Sequence, residues 1–422
     1  MTRTPSRASS TTASVGVTLS GPRGPRPTSA SARVALLLFA VAWGSNHFVP
    51  LLLVYRAHLG LSPVDLATLF AVYAVGLVPG LLVGGPLSDR IGRRRVVIPA
   101  SCVALCGTAL LAFGAEGFHV LLAGRFVVGI GSGATFSAGT AWVQDLARSR
   151  SAGTGARRAS MALSSGFGGG PLLTGLIAQW APDPMRLPYV LQGAVLGACL
   201  AAVLLLHEKP GVAPTKALPG DSDPRRALRL PPGLLRLVGP IGPWVFGFPS
   251  ISFAVLPALV QARAQQGDAI ERWPVAFAGV VTATTLLSGV AVQPVLKAWS
   301  PRTGAVMALA LGSVGVFTGL AAVSLRSQVG LLVAAALLGT GYGGTLLSGL
   351  RIVESSTTPE DRGAATSVFY VFAYLGFAAP LLQAAAARHM GDAPGLLIAA
   401  AIAAATGLFV AKQHPSPAVC RK

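Results

Sequence analysis

Twelve apolar runs, each close to the ~20 residues a helix needs to cross the hydrocarbon core of a bilayer, occupy the chain between residues 34 and 411. Their predicted limits are 34–55, 64–84, 96–115, 120–143, 159–180, 187–206, 237–260, 274–296, 303–324, 329–350, 364–387 and 394–411. Lipid offers no hydrogen bonds, so each run must pair its own backbone groups, and helices do this. The expected fold class is therefore all-α integral membrane, with 12 transmembrane helices and the lipid bilayer as first partner. Only 11% of residues are charged and the mean hydropathy is +0.64; soluble domains carry about 25% charged residues.

The net charge of +19 would suit a nucleic-acid partner if it lay on one face. It does not: the arginines stand at run ends and in loops, so no nucleic-acid partner is expected. Of the 33 Lys and Arg residues, 26 fall in the tails and the even-numbered links, six in the odd-numbered links, and one, Arg125, inside a run. Basic short loops stay in the cytoplasm, which predicts both termini inside. Arg, Ala, Gly and Pro outweigh Lys as in bacterial chains, and the expected site is a bacterial inner membrane. The predicted organisation is a disordered cytoplasmic N-tail over 1–33, a six-helix half over 34–206, a Pro-rich cytoplasmic linker over 207–236, a second six-helix half over 237–411, and a C-tail over 412–422. The first run is of spanning length, which does not fit a cleaved signal peptide.

The halves repeat. Pro50 and Arg56 match Pro257 and Arg263 at an offset of 207, Pro86 matches Pro294 at 208, Gly131-x-Gly133 matches Gly339-x-Gly341 at 208, and Pro171-Leu-Leu matches Pro380-Leu-Leu at 209. The link between runs 2 and 3 is Gly85–Val96, G-P-L-S-D-R-I-G-R-R-R-V. Gly85 allows a close helix approach, and Gly92 can take the left-handed backbone of a sharp reversal. This stretch resembles the loop 2–3 signature of the major facilitator superfamily, G-x-L-x-D-R-x-G-R-R-x-[LIV], with Gly85, Leu87, Asp89, Arg90, Gly92, Arg93, Arg94 and Val96 matching. Two six-helix halves in parallel repeat are also what that family shows.

The resemblance implies a central cavity lined by spans 1, 2, 4, 5, 7, 8, 10 and 11. It implies that Asp89 docks near the start of span 11 and locks an outward-open state, and that Arg93 pairs with an acid at the inner end of span 4, for which Asp145 is the candidate. Thr358-Pro359-Glu360-Asp361 reads as a helix start for span 11. Arg125 with Gly129-x-Gly131 is similar to the family's span 4 motif. Gly170-Pro171 with Gly175 is similar to its antiporter motif, although the last glycine arrives one residue late. Small-residue packing accounts for those glycines equally well.

A guanidinium at the depth of Arg125 either faces a cavity or snorkels outward. His47 is the one histidine inside a run and titrates near neutral pH when unperturbed. All fourteen Asp and Glu residues lie in loops or at run ends. The proton-coupling candidates are thus His47 and, on the outer side, Asp65, which also sits in a capping signature, Ser62-Pro63-Val64-Asp65. Further cavity candidates are Trp43, Asn46, Tyr73, Gln144, Trp244, Gln293, Tyr342, Tyr370 and Tyr374, aromatic and amide groups that suit an amphipathic organic substrate. Cys102 and Cys106 share a helix face without metal-site spacing, and neither a cofactor nor a metal is expected.

No G-x4-G-K-[ST] loop and no intramembrane acid pair points to an enzyme or ATP-driven pump. The expected function is secondary transport by alternating access, as a monomer, with proton-coupled efflux of a small organic molecule. Uptake or facilitated diffusion of a metabolite, or a receptor of the same fold that moves nothing, are the alternatives. Asp89→Asn is expected to insert and fold yet lose most transport; wild-type flux at equal expression would remove Asp89 from the gating machinery.

Overall fold

The computed structural model describes residues 27–147, 154–206, 232–265, 272–358 and 361–413. Most of the expected N-tail, most of the linker, and the C-terminal residues including Cys420 lie outside the described residues. Among them run twelve helices long and apolar enough to cross a membrane. We number these spans 1 to 12: Ala30–Leu59, Pro63–Ile91, Arg93–Ala112, Phe118–Ala147, Thr154–Trp180, Leu187–Leu204, Gly233–Arg263, Pro274–Leu296, Pro301–Leu325, Gln328–Ser356, Arg362–Met390 and Asp392–Lys412. The helix of span 1 begins at Pro27, so the last residues of the expected tail are helical.

Helix ends follow local chemistry. Ser62 and Asp65 form the expected capping box, Ser300 and Ser327 cap spans 9 and 10, and Gly92 turns the chain between spans 2 and 3 with φ +101°. Interior prolines act where their missing N–H matters. Pro50 gives the Asn46 carbonyl no donor, and span 1 breaks at His47. Its repeat partner Pro257 follows a wide, π-type turn over Ile251–Val255 in span 7. Pro380 follows a tight 3-10 turn over Gly376–Ala378 in span 11.

Each half packs on glycines. A Cβ on Gly76 would run into the Phe126 carbonyl of span 4, and one on Gly129 into the Tyr73 carbonyl of span 2. In the second half a Cβ on Gly343 would strike the Gly289 carbonyl of span 8. Lipid is as apolar as leucine, so helices associate through such close backbone approach rather than through hydrophobic exclusion. One apolar core joins Leu37, Val97, Val143 and Leu196 in the first half. Another joins Val238, Phe248, Leu309 and Leu338 in the second, and a third crosses the seam between halves through Phe70, Phe253 and Phe377.

We call the end carrying the 2–3 link the basic end. The seam is closed at the opposite end. There a Cβ on Gly175 of span 5 would sit 3.1 Å from the Gly279 Cα of span 8. The Gln179 side-chain oxygen accepts from the Val275 and Ala276 N–H groups at 3.0 and 3.2 Å. Gln179 thus satisfies donors that the first turn of span 8 cannot pair itself. Toward the basic end, Met161 of span 5 and Val290 and Val295 of span 8 are exposed.

Overpacking costs about 1–3 kcal/mol per added group. Gly343→Ala is expected to unfold several degrees below wild type in detergent. Gly169→Ala, whose Cβ meets nothing within 4 Å, is expected to unfold at the wild-type temperature; differential scanning fluorimetry compares them.

Candidate functional site

The break in span 1 creates the first element of the site. Arg125, on span 4, donates from Nη1 to the Ser45 carbonyl at 3.1 Å and from Nε to the Leu69 carbonyl at 3.3 Å. Its guanidinium carbon lies 4.4 Å from the Phe48 ring centre and 4.5 Å from that of Tyr73. With 1% of its surface exposed, Arg125 neither snorkels nor stands open in this conformation. Two carbonyls and two ring faces take the place of an acid, since desolvated cation–π contacts are worth about 2 kcal/mol or more. The same side chain ties span 4 to spans 1 and 2.

His47 lies beside this cation. Its ring meets Tyr189 edge-on at 4.5 Å, and Tyr189 shares a hydrogen bond with Tyr55 through their hydroxyls. His47 is 0% exposed, and neither of its ring nitrogens has a protein partner. Buried polar atoms are usually paired, so this ring is set apart from the rest of the core.

From Tyr73 an aromatic layer crosses the seam. Tyr73 is 6.2 Å from Phe377. Phe70 stacks on Phe377 at 5.1 Å and meets Phe253 edge-on at 5.9 Å. In the second half Phe246 stacks on Tyr374 at 4.9 Å and touches Phe377 and Tyr342, and Tyr370 stacks on Tyr374 at 6.2 Å. Tyr342, Tyr370, Tyr374 and Phe246 are half-buried and offer ring faces to the seam. Phe253 and Phe377 sit in the irregular turns of spans 7 and 11. Sequence reading named Tyr73, Tyr342, Tyr370 and Tyr374 and missed Phe70, Phe246, Phe253 and Phe377. The helical spacing of Tyr370, Tyr374 and Phe377 on one face was the available signal.

Other candidates lie elsewhere. Trp43 donates from Nε1 to Thr174 of span 5 at 2.9 Å and packs on Gly170. Trp244 donates to Thr406 of span 12 at 3.3 Å. Gln144 is exposed, Gln293 lies at the basic-end terminus of span 8, and Asn46 is half-buried at the break. Asp65 is held by Ser62, accepting from its N–H at 3.0 Å and its hydroxyl at 2.6 Å. Pro171 lies inside a continuous helix; Gly170 seats span 1 and Gly175 seats span 8.

At the basic end Arg93 binds both acids, Asp89 at 2.5 Å and Asp145 at 3.3 Å, and donates to the Ser88 hydroxyl at 2.6 Å. The Asp89 side chain is 46% exposed and pairs with Arg93. The helix of span 11 begins at Arg362, whose N–H donates to the Thr358 carbonyl at 3.0 Å, and Pro359 and Glu360 of the expected start lie outside the described residues. Thr358 still donates to Asp361 at 3.4 Å. A Cβ on Gly85 would meet the Ser137 hydroxyl at 2.6 Å, so this glycine seats span 4. Arg94 donates to the Leu204 carbonyl at 2.9 Å and to that of Leu206, closing the C-terminus of span 6. Arg90 and Arg95 are exposed. No group of three metal-ligating side chains occurs among the described residues.

The family model described as the Major Facilitator Superfamily matches residues 34–267. The quinolone resistance protein NorA of Staphylococcus aureus is 26% identical over 172 residues, which is 40% of this chain and 43% of that protein. The bacillibactin exporter of Bacillus subtilis is 29% identical over 145 residues, 32% of this chain and 36% of that protein. The chain thus spans less than half the length of these curated relatives. A solved POT family transporter in complex with 5-aminolevulinic acid has the same fold, with a TM-score of 0.75 at 13% identity, covering 94% of this chain and 97% of that one. So does the nucleoside transporter NupG, with a TM-score of 0.72 at 12% identity, covering 92% of this chain and 99% of that one.

A lysine can neither bridge two carbonyls from one planar fork nor lie flat against two rings. Arg125→Lys is expected to lose about 2 kcal/mol of stability, the scale of a hydrogen bond to a charged group. A melting temperature equal to wild type would show that the charge alone suffices.

Proposed function

The chain belongs to the Major Facilitator Superfamily, and on that premise we propose that it is a bacterial secondary transporter that exports a small, flat organic molecule by alternating access. The observation that carries this reading is the aromatic layer across the seam, running from the buried Arg125 through Tyr73 and Phe377 to Tyr374 and Tyr342. Ring faces bind flat organic bodies through stacking. With Arg125 as the fixed charge at its edge, the layer favours neutral or anionic aromatics over cations. Export rather than import is supported by the two relatives, one a quinolone resistance protein and one a bacillibactin exporter.

In this reading the halves 34–206 and 237–411 rock about the seam as a monomer, and the excess of basic residues at one end makes that end cytoplasmic. The conformation closed at the opposite end is then the one that loads cargo from the cytoplasm. Arg93, Asp89 and Asp145 are the gating charges at that end. In this reading the pairing of Asp89 with Arg93 belongs to the state opposite to the one that Asp89 locks.

Proton antiport is the proposed driving reaction, with His47 as the carrier. Its unpartnered ring nitrogens leave it free to take a proton when the far end opens. Asp65 suits that role less, because its carboxylate is already spent on the capping box. In the conformation described, protein seals His47 on every side, so the proton moves only on conformational change.

Inside-out membrane vesicles with an acid lumen test the proposal. With a quinolone or bacillibactin as probe, wild type is expected to accumulate the compound, and a protonophore to abolish accumulation. His47→Gln is expected to keep counterflow exchange and lose accumulation by at least about tenfold, the effect of about 1.4 kcal/mol. Accumulation by His47→Gln equal to wild type removes His47 as carrier, and probe movement equal to empty vesicles removes export of these compounds.

A further inference from the structure

At the end opposite the basic loop, the seam holds a cavity of about 310 Å³. One half contributes spans 1 and 2 to its wall and the other contributes spans 7 and 11, with Leu52, Phe70 and Leu259 among the apolar lining. Phe70 also belongs to the aromatic layer, stacked on Phe377, so its ring partitions this cavity from the candidate transport site. The charged groups lie where helices end, and Gln383 of span 11 adds an amide that donates to the Asp392 carbonyl at 2.8 Å. Arg56 comes from the last turn of span 1 and Arg388 from the last turn of span 11, one from each half, and both are exposed. Among the described residues Asp392 is the one acid in the lining. Asp65 feels the charge of Arg388 from nearby, but Ser62 holds its carboxylate.

We propose that this cavity is a binding site for a single-chain anionic amphiphile, a medium-chain carboxylate, and that the bound molecule holds this end of the transporter shut. The apolar wall takes the chain and the two guanidiniums at the rim take the carboxylate, for which their planar forks are suited. A volume at the small end of the range for ligand pockets, ~300–1,000 Å³, admits one chain of modest length and not a whole two-chain lipid. Arg56 and Arg388 come from opposite halves, so an anion held by both bridges the seam. The wall is built from both halves, so it exists only while this end is closed. A ligand that binds one conformation alone shifts the population toward it. The site shares Phe70 with the aromatic layer and does not depend on the direction of transport.

Decanoate added to the full-length protein in nanodiscs of zwitterionic lipid tests this. Expected is a saturable rise in unfolding temperature for wild type, with the half-saturating concentration raised at least tenfold in Arg56→Gln and in Arg388→Gln. Decanol and decyltrimethylammonium, which share the chain and lack the negative head, are expected to give no saturable rise. Ala384→Trp, which fills the cavity from span 11, is expected to abolish the response to decanoate. The proposal is overturned if the three ten-carbon compounds act alike on wild type, which marks simple partition into lipid, or if both arginine variants respond as wild type does. All of these readouts are of binding, so a failure of the export reading leaves them intact.

Discussion

Spans 2 and 4 meet backbone to backbone at paired glycines, and the candidate site depends on that contact. Gly129 lies against the Tyr73 carbonyl and Gly76 against the Phe126 carbonyl. The first contact fixes Tyr73 one helical turn from Arg125, so its ring falls on the guanidinium. A side chain at either glycine would force the two backbones apart and lengthen the contact between Tyr73 and the Arg125 guanidinium. The energetic logic is that of helix association in lipid, where close van der Waals approach replaces hydrophobic exclusion.

Arg125 in turn joins three spans, and among the described residues it forms no salt bridge. A charged side chain at membrane depth costs about 2.5–3.5 kcal/mol by insertion measurements. Here carbonyls and ring faces from spans 1 and 2 surround the charge, so those spans stay packed on span 4. This makes the first half a rigid body up to the seam. The closed end of the seam is built differently. Gly175 lies close against Gly279, and Gln179 pairs with the free N–H groups of span 8. These contacts bury few charges and satisfy few groups that water could not satisfy, so they suit a joint that must open and close.

The two halves share a frame and differ in charge. Arg94 and Arg302, 208 residues apart, do the same work: Arg94 binds the last carbonyls of span 6, and Arg302 those of Val410 and Ala411 at the end of span 12. At the same offset the partner of Asp89 is Lys297. The Asp89, Arg93 and Asp145 cluster is therefore confined to the first half. In the second half Arg351 binds the Leu296 and Trp299 carbonyls directly. Pro50 and Pro257 each precede or follow a disturbed turn, yet the residue set free is His47 in one half and the Phe253 ring in the other. Duplication preserved the breaks in the helices and let the chemistry at the breaks diverge.

The family resemblance implied the pairing of Arg93 with Asp145, and sequence alone determined the twelve spans, the repeat and the capping box at Ser62. Each follows from composition, from spacing within one turn of helix, or from a short motif with a local physical cause. It also singled out Arg125 and His47, because a polar group in an apolar run is conspicuous. What it did not carry was their surroundings. Trp43 and Trp244 read as cavity residues and are hydrogen-bonded between helices, whereas Phe70, Phe253 and Phe377 read as ordinary core and form the layer across the seam. Which face of a helix meets lipid, a neighbour or the seam depends on helix rotation and on distortions near prolines. Those are set by glycine contacts between residues distant in the chain, so only the tertiary structure decided them.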